Sequence, residues 1–303
     1  ATNTGPREVP VAVAGPPEAV EQVEAALGAA PGPDDVAAFE VTAVADEVAA
    51  TLAIEERDVY GAVVVTPDGP RLLVASAAGP AVAQMLRAAA AELSEPGAAA
   101  PVTDVVPTTP DDPTGAGLAA GVLPVIITSA AGGLIAAVAL RSTRLRLAAV
   151  TGITVLGGLV SAAVLQYGLG VVDGSYVEAA GVAALLIGAV AAGVAGLGAV
   201  LGRPGAVLGL LVMILVGNPL SAAASAPEML PQPWGAVGQF LPPGAGVSAL
   251  RSVAFFDGAA ARTPILVLSI WLVAGLLLTA VAGTRRRAEP ATPTSAPEVS
   301  AGV

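Results

Sequence analysis

LAAGVLPVIITSAAGGLIAAVAL, residues Leu118 to Leu140, runs into RSTRLR (141–146) and then into LAAVTGITVLGGLVSAAVLQYGLGVV, Leu147 to Val172. Two long apolar stretches with every charge gathered in the short segment between them are the pattern of a helical pair crossing a bilayer. A hydrocarbon core about 30 Å thick takes roughly 20 residues of helix. Three further stretches repeat the pattern: Ala179 to Leu201, Ala206 to Ala223 and Ile265 to Gly283. None of the five contains Asp, Glu, Lys or Arg. The expected fold is an α-helical polytopic membrane protein, with a transmembrane domain over 118–283.

Arginine sets the expected orientation. Arg141, Arg144 and Arg146 follow the first span, Arg203 the third, and Arg285, Arg286 and Arg287 the fifth. These are alternate connections, as one consistent orientation requires. Cytoplasmic flanks are enriched in cations, so all three clusters are read as cytoplasmic topology determinants at a plasma membrane. The remaining connections, with Asp173, Glu178, Glu228, Asp257, Arg251 and Arg262, then face outward. An odd number of spans places residues 1 to 113 outside too. That segment begins Ala1-Thr2-Asn3-Thr4 without an apolar targeting stretch, so a further helix upstream is expected, making six spans in the full protein.

The outward segment reads as a small α/β extracytoplasmic domain over 1–94. Val9 to Ala14 is a short apolar run, Pro17 to Ala29 is helix-like and Phe39 to Val44 alternates as a strand does. Asp46 to Arg57 is a second amphipathic helix, and the runs Tyr60 to Thr66 and Arg71 to Ser76 flank a Pro67-Asp68-Gly69 turn. Pro80 to Leu93 closes as a helix, for an order of βαβαββα. Residues 95–117, rich in Pro, Thr and Asp, read as a stiff linker, and 284–303 as a disordered cytoplasmic tail. The acids Glu55-Glu56 and Asp111-Asp112 read chiefly as solvated surface.

Composition removes much chemistry. The 303 residues carry a net charge of −11, with no His, no Cys and, all thirteen cations being Arg, no Lys. A phosphate-binding loop needs its Lys, so any ATP hydrolysis belongs to a separate chain. Triads and zinc sites built on His or Cys are unavailable, and the spans hold no carboxylate for an intramembrane protease or proton relay. The chain is read as a non-enzyme with no catalytic, cofactor-binding or metal residues. Nucleic acid is excluded as a partner of so acidic a face. Gly117/Gly121, Gly198/Gly202 and Gly205/Gly209 stand at small-x-x-x-small spacing, which lets helix backbones approach closely.

The most distinctive passage lies before the last span. Asn218-Pro219-Leu220-Ser221, Pro227-Glu228-Met229-Leu230-Pro231, Trp234, Leu241-Pro242-Pro243-Gly244, and Ala249-Leu250-Arg251-Ser252 through Phe255-Phe256-Asp257-Gly258 are too apolar for an ordinary loop. Repeated Pro breaks the passage into short helical pieces, and Trp234, Phe240, Phe255 and Phe256 suit a membrane interface. Two outward re-entrant or interfacial helices are expected at about 225–262. Irregular backbone at membrane depth persists only against protein or around a cavity. Candidate gate and interface residues are Asn218, Pro219, Glu228, Trp234, Arg251, Phe255, Phe256 and Asp257. Arg251 is read as pairing with Asp257 or with lipid phosphate, and Glu228 as a helix cap or a gate.

This passage resembles the membrane subunits of type-2 ABC exporters, where short re-entrant helices precede the last span. With the segment Asp58-Val59-Tyr60-Gly61-Ala62 in the outward domain, and with Gly217-Asn218-Pro219, Pro227 to Pro231, Leu241 to Gly244 and Ala249 to Gly258, the chain is most similar to the YhgE/Pip and DUF3533-type group. The resemblance implies a permease-like protein in an exporter of a small amphiphile or envelope component. The partners expected are membrane lipid, a second subunit in a homodimer or heterodimer, and a separate ATPase. Arg141 to Arg146 is short for a coupling helix. The alternative reading is a non-transporting envelope protein whose outer domain binds a secretion machine, a phage or a wall polymer.

Overall fold

The computed structural model describes residues 5–30, 32–93 and 101–288. In the N-terminal third, β1 (Val9–Ala14), α1 (Pro17–Gly28), β2 (Phe39–Val44), α2 (Glu47–Glu55), β3 (Gly61–Thr66), β4 (Gly69–Val74) and α3 (Pro80–Leu93) follow in the expected order. β1 lies inside the sheet because its side chains serve two cores. Val9, Val11 and Val13 pack with Leu27, Leu72, Val74, Val82 and Leu86 on one face, and Ala12 and Ala14 with Ala50, Ile54, Ala62 and Val64 on the other. A strand apolar on both faces needs a layer on each. Helices α1 and α3 supply one, and α2 the other. β1 pairs in parallel with β2 and β3, and β3 turns antiparallel into β4. Gly69 takes φ 116° at that turn, where the Thr66 hydroxyl donates to its carbonyl at 2.8 Å.

A fifth strand corrects the reading of 95–117 as a stiff linker, because part of it belongs to the sheet. β5 (Val102–Asp104) pairs in parallel with β4, giving the order β2-β1-β3-β4-β5. The chain stays strapped beyond it: Val105 donates to the Val74 carbonyl, Ala77 to the Val106 carbonyl, and the Ser76 N–H to the Asp104 carboxylate. Extended Pro- and Thr-rich chain suits a spacer and a sheet edge alike, and the open side of β4 decides between them. Asp112 is buried rather than solvated. Its carboxylate accepts the Gly117 N–H at 2.7 Å, satisfying a donor that the first turn of the next helix leaves open. Residues 94–100 lie outside the described residues.

The rest of the chain forms α4 (Ala116–Ala139), α5 (Thr143–Ala163, continued by a π turn over Val164–Gly168), α6 (Tyr176–Leu201), α7 (Arg203–Leu211), α8 (Trp234–Gln239), α9 (Pro242–Phe255) and α10 (Arg262–Ala288). Four segments, in α4, α5 with its π turn, α6 and α10, are long and apolar enough to cross a membrane. The expected span Ala206 to Ala223 is not one of them. Its helix runs only over Arg203–Gly217, with a π-helical end, and breaks at Pro219 and at Ala222, whose φ is 53°. The chain turns early because the hairpin of α8 and α9 fills the remaining depth: a side chain at Gly217 would run into Pro243.

Helix α6, almost wholly Gly, Ala, Val and Leu, is the axis on which α4, α5, α7, α9 and α10 pack. Glycine permits the closest crossings, Gly133 of α4 against Ala191, Gly158 of α5 against Ala184, and Gly275 of α10 against Ala192. Such close approach gains dispersion contacts between the backbones themselves. Of the glycines singled out by spacing, Gly205 and Gly209 of α7 stand against the Leu197 and Val194 backbone of α6 and Gly198 against Ala137 and Ala206, while Gly121 meets the Leu165 side chain and Gly202 takes the left-handed turn (φ 72°) into α7.

Contacts at the far end gather the arginine-bearing turns. Gly283 abuts Thr143 and Gly198 abuts Ala137 and Ala206, so the α4–α5 turn, the α6–α7 turn and the end of α10 lie together, opposite the sheet. Arg141, Arg144, Arg146 and Arg203 belong to those turns, and Arg285, Arg286 and Arg287 to the last turns of α10. Residues 284–288, read as the start of a disordered tail, are helical. Residues 289–303 lie outside the described residues.

Candidate functional site at the junction of sheet and hairpin

Proline sets the hairpin's shape. Pro233 precedes α8, and Pro242 and Pro243 occupy the first turn of α9, where a missing N–H costs nothing. Between them Phe240 gives its carbonyl to the Trp271 indole N–H at 2.9 Å. Trp271 lies nine residues along α10 from Arg262, roughly 13 Å at 1.5 Å per residue. The tip therefore reaches well into the bundle, and Gly246 of α9 packs on Leu186 near the middle of α6. The expected range of about 225–262 holds the short helices α8 and α9, preceded by a 3-10 turn over Pro227–Met229.

The hairpin is also part of the sheet's interior. Ala226 and Met229 pack into the core under α1 and α3, and Phe255, Phe256 and Ala259 into the core under α2. Phe256, read from sequence as an interfacial aromatic, is buried among Ala12, Ile54 and Ala62. Trp234 and Phe240 remain exposed. Backbone bonds reinforce the join, the Gly5 and Arg7 N–H groups donating to the Met229 and Glu228 carbonyls.

At the centre of the join polar groups converge. The Tyr60 hydroxyl donates to the Glu228 carboxylate at 2.8 Å. The Arg57 guanidinium donates to the Ser248 carbonyl at 3.0 Å and to the Ser252 hydroxyl at 2.5 Å, and stands 5.2 Å from the centre of the Phe256 ring. Arg251, 3 % exposed, donates to the Ala223 carbonyl at 2.6 Å and more weakly to that of Ala222. It does not pair with Asp257, which is exposed and held at φ 48°.

Burial dominates the electrostatics. It draws the Arg57 guanidinium below its ordinary value, against the opposing pull of Tyr60 and Glu228. It lowers Arg251 to about 10, still charged at neutral pH. It raises the Tyr60 phenol well above its usual range, and the Glu228 carboxylate raises it further. The result is a neutral phenol that donates to the Glu228 carboxylate, with two guanidiniums in the same neighbourhood. Two buried cations and one carboxylate make an arrangement costly to build and sensitive to the removal of any member. Its bonds tie the sheet to the passage before α8 and to α9, as a latch.

Of the residues singled out from sequence, the structure brings Glu228, Arg251 and Phe256 together, and sets Phe255 beside them along a cleft. Asn218 and Pro219 lie at the end of the α7 segment, where the Asn218 carbonyl accepts from Ser221. Arg57, Ser248 and Ser252 were missed. Arg57 is embedded in Glu55-Glu56-Arg57-Asp58, which reads as solvated charge. Its one distinguishing trait is conformational, φ 66° on a residue other than glycine, and sequence does not display that. Ala222, Asp257 and Ala260 share the same trait, so left-handed backbone gathers at this junction.

Compared with known protein families, with curated proteins and with solved structures, the chain gives no match.

Proposed function

We propose that the chain is a multi-pass plasma-membrane protein of permease-like type that moves a small amphiphile or envelope component outward. The arginine-bearing end of the bundle then lies in the cytoplasm, the sheet lies outside, and any ATPase is a separate chain. The observation that carries this reading is the latch of Arg57, Tyr60 and Glu228. It makes the α8–α9 hairpin and the sheet one body, resting on the ends of α4 to α6, so that a movement of the sheet moves a wedge lodged between helices. The grouping of all the arginine turns at one end supports the orientation. Outward-facing Leu156, Val160, Leu266, Ile270 and Leu277 support contact with acyl chains. The hairpin ahead of the last long helix supports kinship with type-2 ABC exporter permeases and the YhgE/Pip group.

The test is retention of amphiphilic dyes in an efflux-deficient bacterial host. The full protein is expected to lower retention, and Arg57→Ala, at equal membrane level, to restore it. Equal retention with protein, variant and empty vector would sink the transport reading. β2 pairs on one side only, which leaves an edge that an extended partner segment can lengthen. A partner held by the sheet, with retention unchanged, would favour the non-transporting envelope protein.

A further inference from the structure

We infer that the outer edge of β2 takes up an extended segment of a partner protein in which apolar and basic residues alternate, adding it to the sheet as an antiparallel strand. The inference rests on the sheet's open edge and not on transport, so segment binding and dye efflux fail separately.

The two ends of the sheet are finished differently. β5 is three residues long and lies between Pro101 and Pro107, which have no N–H to give a further strand. β2 is six residues long, contains no proline and keeps an unbroken register with β1 from Phe39 to Val44. Among the described residues no strand pairs with its other side. An edge left long and regular is a template for one more strand.

What the edge offers follows from the ladder. The Val9 N–H donates to the Ala38 carbonyl, and Val9 stands opposite Phe39. In a parallel ladder that phase turns the backbone groups of Glu40, Thr42 and Val44 toward β1, and leaves the N–H and C=O of Val41 and Ala43 facing out. Val41 shares with Phe39 the core under α1 and α3, while Val44 belongs to the core under α2. By the alternation of a strand, Ala43 lies on the face of Val41, and Glu40 and Thr42 on that of Val44.

These faces dictate the occupant's chemistry. In an antiparallel pair, two residues that exchange both hydrogen bonds stand opposite one another with their side chains on the same face. The residue opposite Val41 is therefore best apolar, and its two neighbours, set against Glu40 and Thr42, are best basic. The surroundings agree, because from Val9 to Glu56 the sequence has no cation. Glu18, Glu21 and Glu24 of α1, Glu40 of β2 and Asp46 at the start of α2 form no ion pair among the described residues. A basic segment is drawn to this side of the sheet, and a second copy of the chain, equally acidic along the edge, is repelled.

The test uses the whole chain in phosphatidylcholine nanodiscs and a synthetic peptide of alternating lysine and valine, matched in length to β2. Two further forms carry backbone N-methyl groups, one at the valines and one at the lysines. They are alike in charge and differ in which edge of the peptide can donate. By calorimetry the parent peptide and the lysine-methylated form are expected to bind saturably, and methylation at the valines to weaken binding on the order of tenfold. Glu40→Lys should weaken the parent peptide and admit its glutamate–valine counterpart. Val41→Pro removes an N–H that β1 does not use and should weaken binding at an unchanged unfolding temperature. If that variant does not fold, the methylated peptides decide on the unaltered protein. Equal binding of the two methylated forms, or weakening by methylation at the lysines instead, overturns the inference. So does a concentration-dependent dimer that excludes the peptide and that Val41→Pro dissolves, since the edge then belongs to a second copy. Efflux without peptide binding overturns the edge inference alone, and peptide binding without efflux counts against transport alone.

Discussion

Tyr60 and Glu228, 168 positions apart, meet across 2.8 Å with the phenol donating to the carboxylate. One bond thus ties the start of β3 to the passage that leads into the hairpin. Arg57 bonds across the same join to Ser248 and Ser252, and Arg251 to the Ala222 and Ala223 carbonyls.

Tyr60→Phe removes that bond and leaves Glu228 its charge. The expected loss is about 1.5–3 kcal/mol, the usual range for a hydrogen bond to a charged group. Thermal unfolding in detergent, followed by tryptophan fluorescence, reads it. An unfolding temperature equal to that of the parent would show the bond to be of no consequence.

The same phenol gives a pH signature. Its folded value is raised above the unfolded one, near 10, so its contribution is fully present below pH about 10 and is lost as pH rises beyond it. The lowered values of Arg57 and Arg251 act in the opposite sense, and comparison with Tyr60→Phe removes their share. The stability advantage of the parent over the variant should shrink between pH 10 and 11.5. A constant difference across that window would refute the assignment.

Arg251 illustrates the asymmetry of buried charge. Arg251→Ala leaves the Ala222 and Ala223 carbonyls without their donor and opens a cavity, whereas Arg251→Met fills the space without the desolvation cost of a cation. The alanine variant should therefore be the less stable of the two, and more readily cleaved by protease between 222 and 233. The reverse order would mean that the charge itself holds the hairpin.

Glycine at the helix crossings is a packing requirement. Gly275→Val places a side chain in the backbone of Ala192 and should prevent a monodisperse fold. Gly152→Ala meets nothing within 4 Å and should be neutral or gain about 0.5–1 kcal/mol, since alanine favours helix. Size-exclusion profiles and unfolding temperatures separate the two. Similar behaviour would remove close backbone contact as the organising feature of the bundle.

Orientation is open to labelling, because the chain has no cysteine of its own. On whole cells, Asp68→Cys should react with an impermeant maleimide and Arg286→Cys only after lysis. The opposite pattern would invert the proposed topology.

The elements of the sheet were largely legible because their signals are local. The alternation in Phe39–Val44, the proline at Pro17 and Pro80 and the turn at 67–69 act over a few residues, and β1, β2 and α3 lie where the sequence places them. The apolar lengths of α4, α5, α6 and α10 were legible for the same reason, since the solvent of a span imposes a length on it. What only the tertiary structure decided was which apolar segments are satisfied by protein instead. The segment after Arg203 is long enough in composition to cross, yet it stops at Gly217 because the hairpin already fills the space beyond. Phe256 carries no mark to distinguish it from Phe240, yet one closes the core of the sheet and the other faces outward. Arg57 was hidden for a like reason: a cation among acids reads as surface until the fold brings Ser248, Ser252 and Phe256 around it. Local pattern fixes what a segment is, while burial depends on partners nearly two hundred residues distant, and those meet only when the chain has folded.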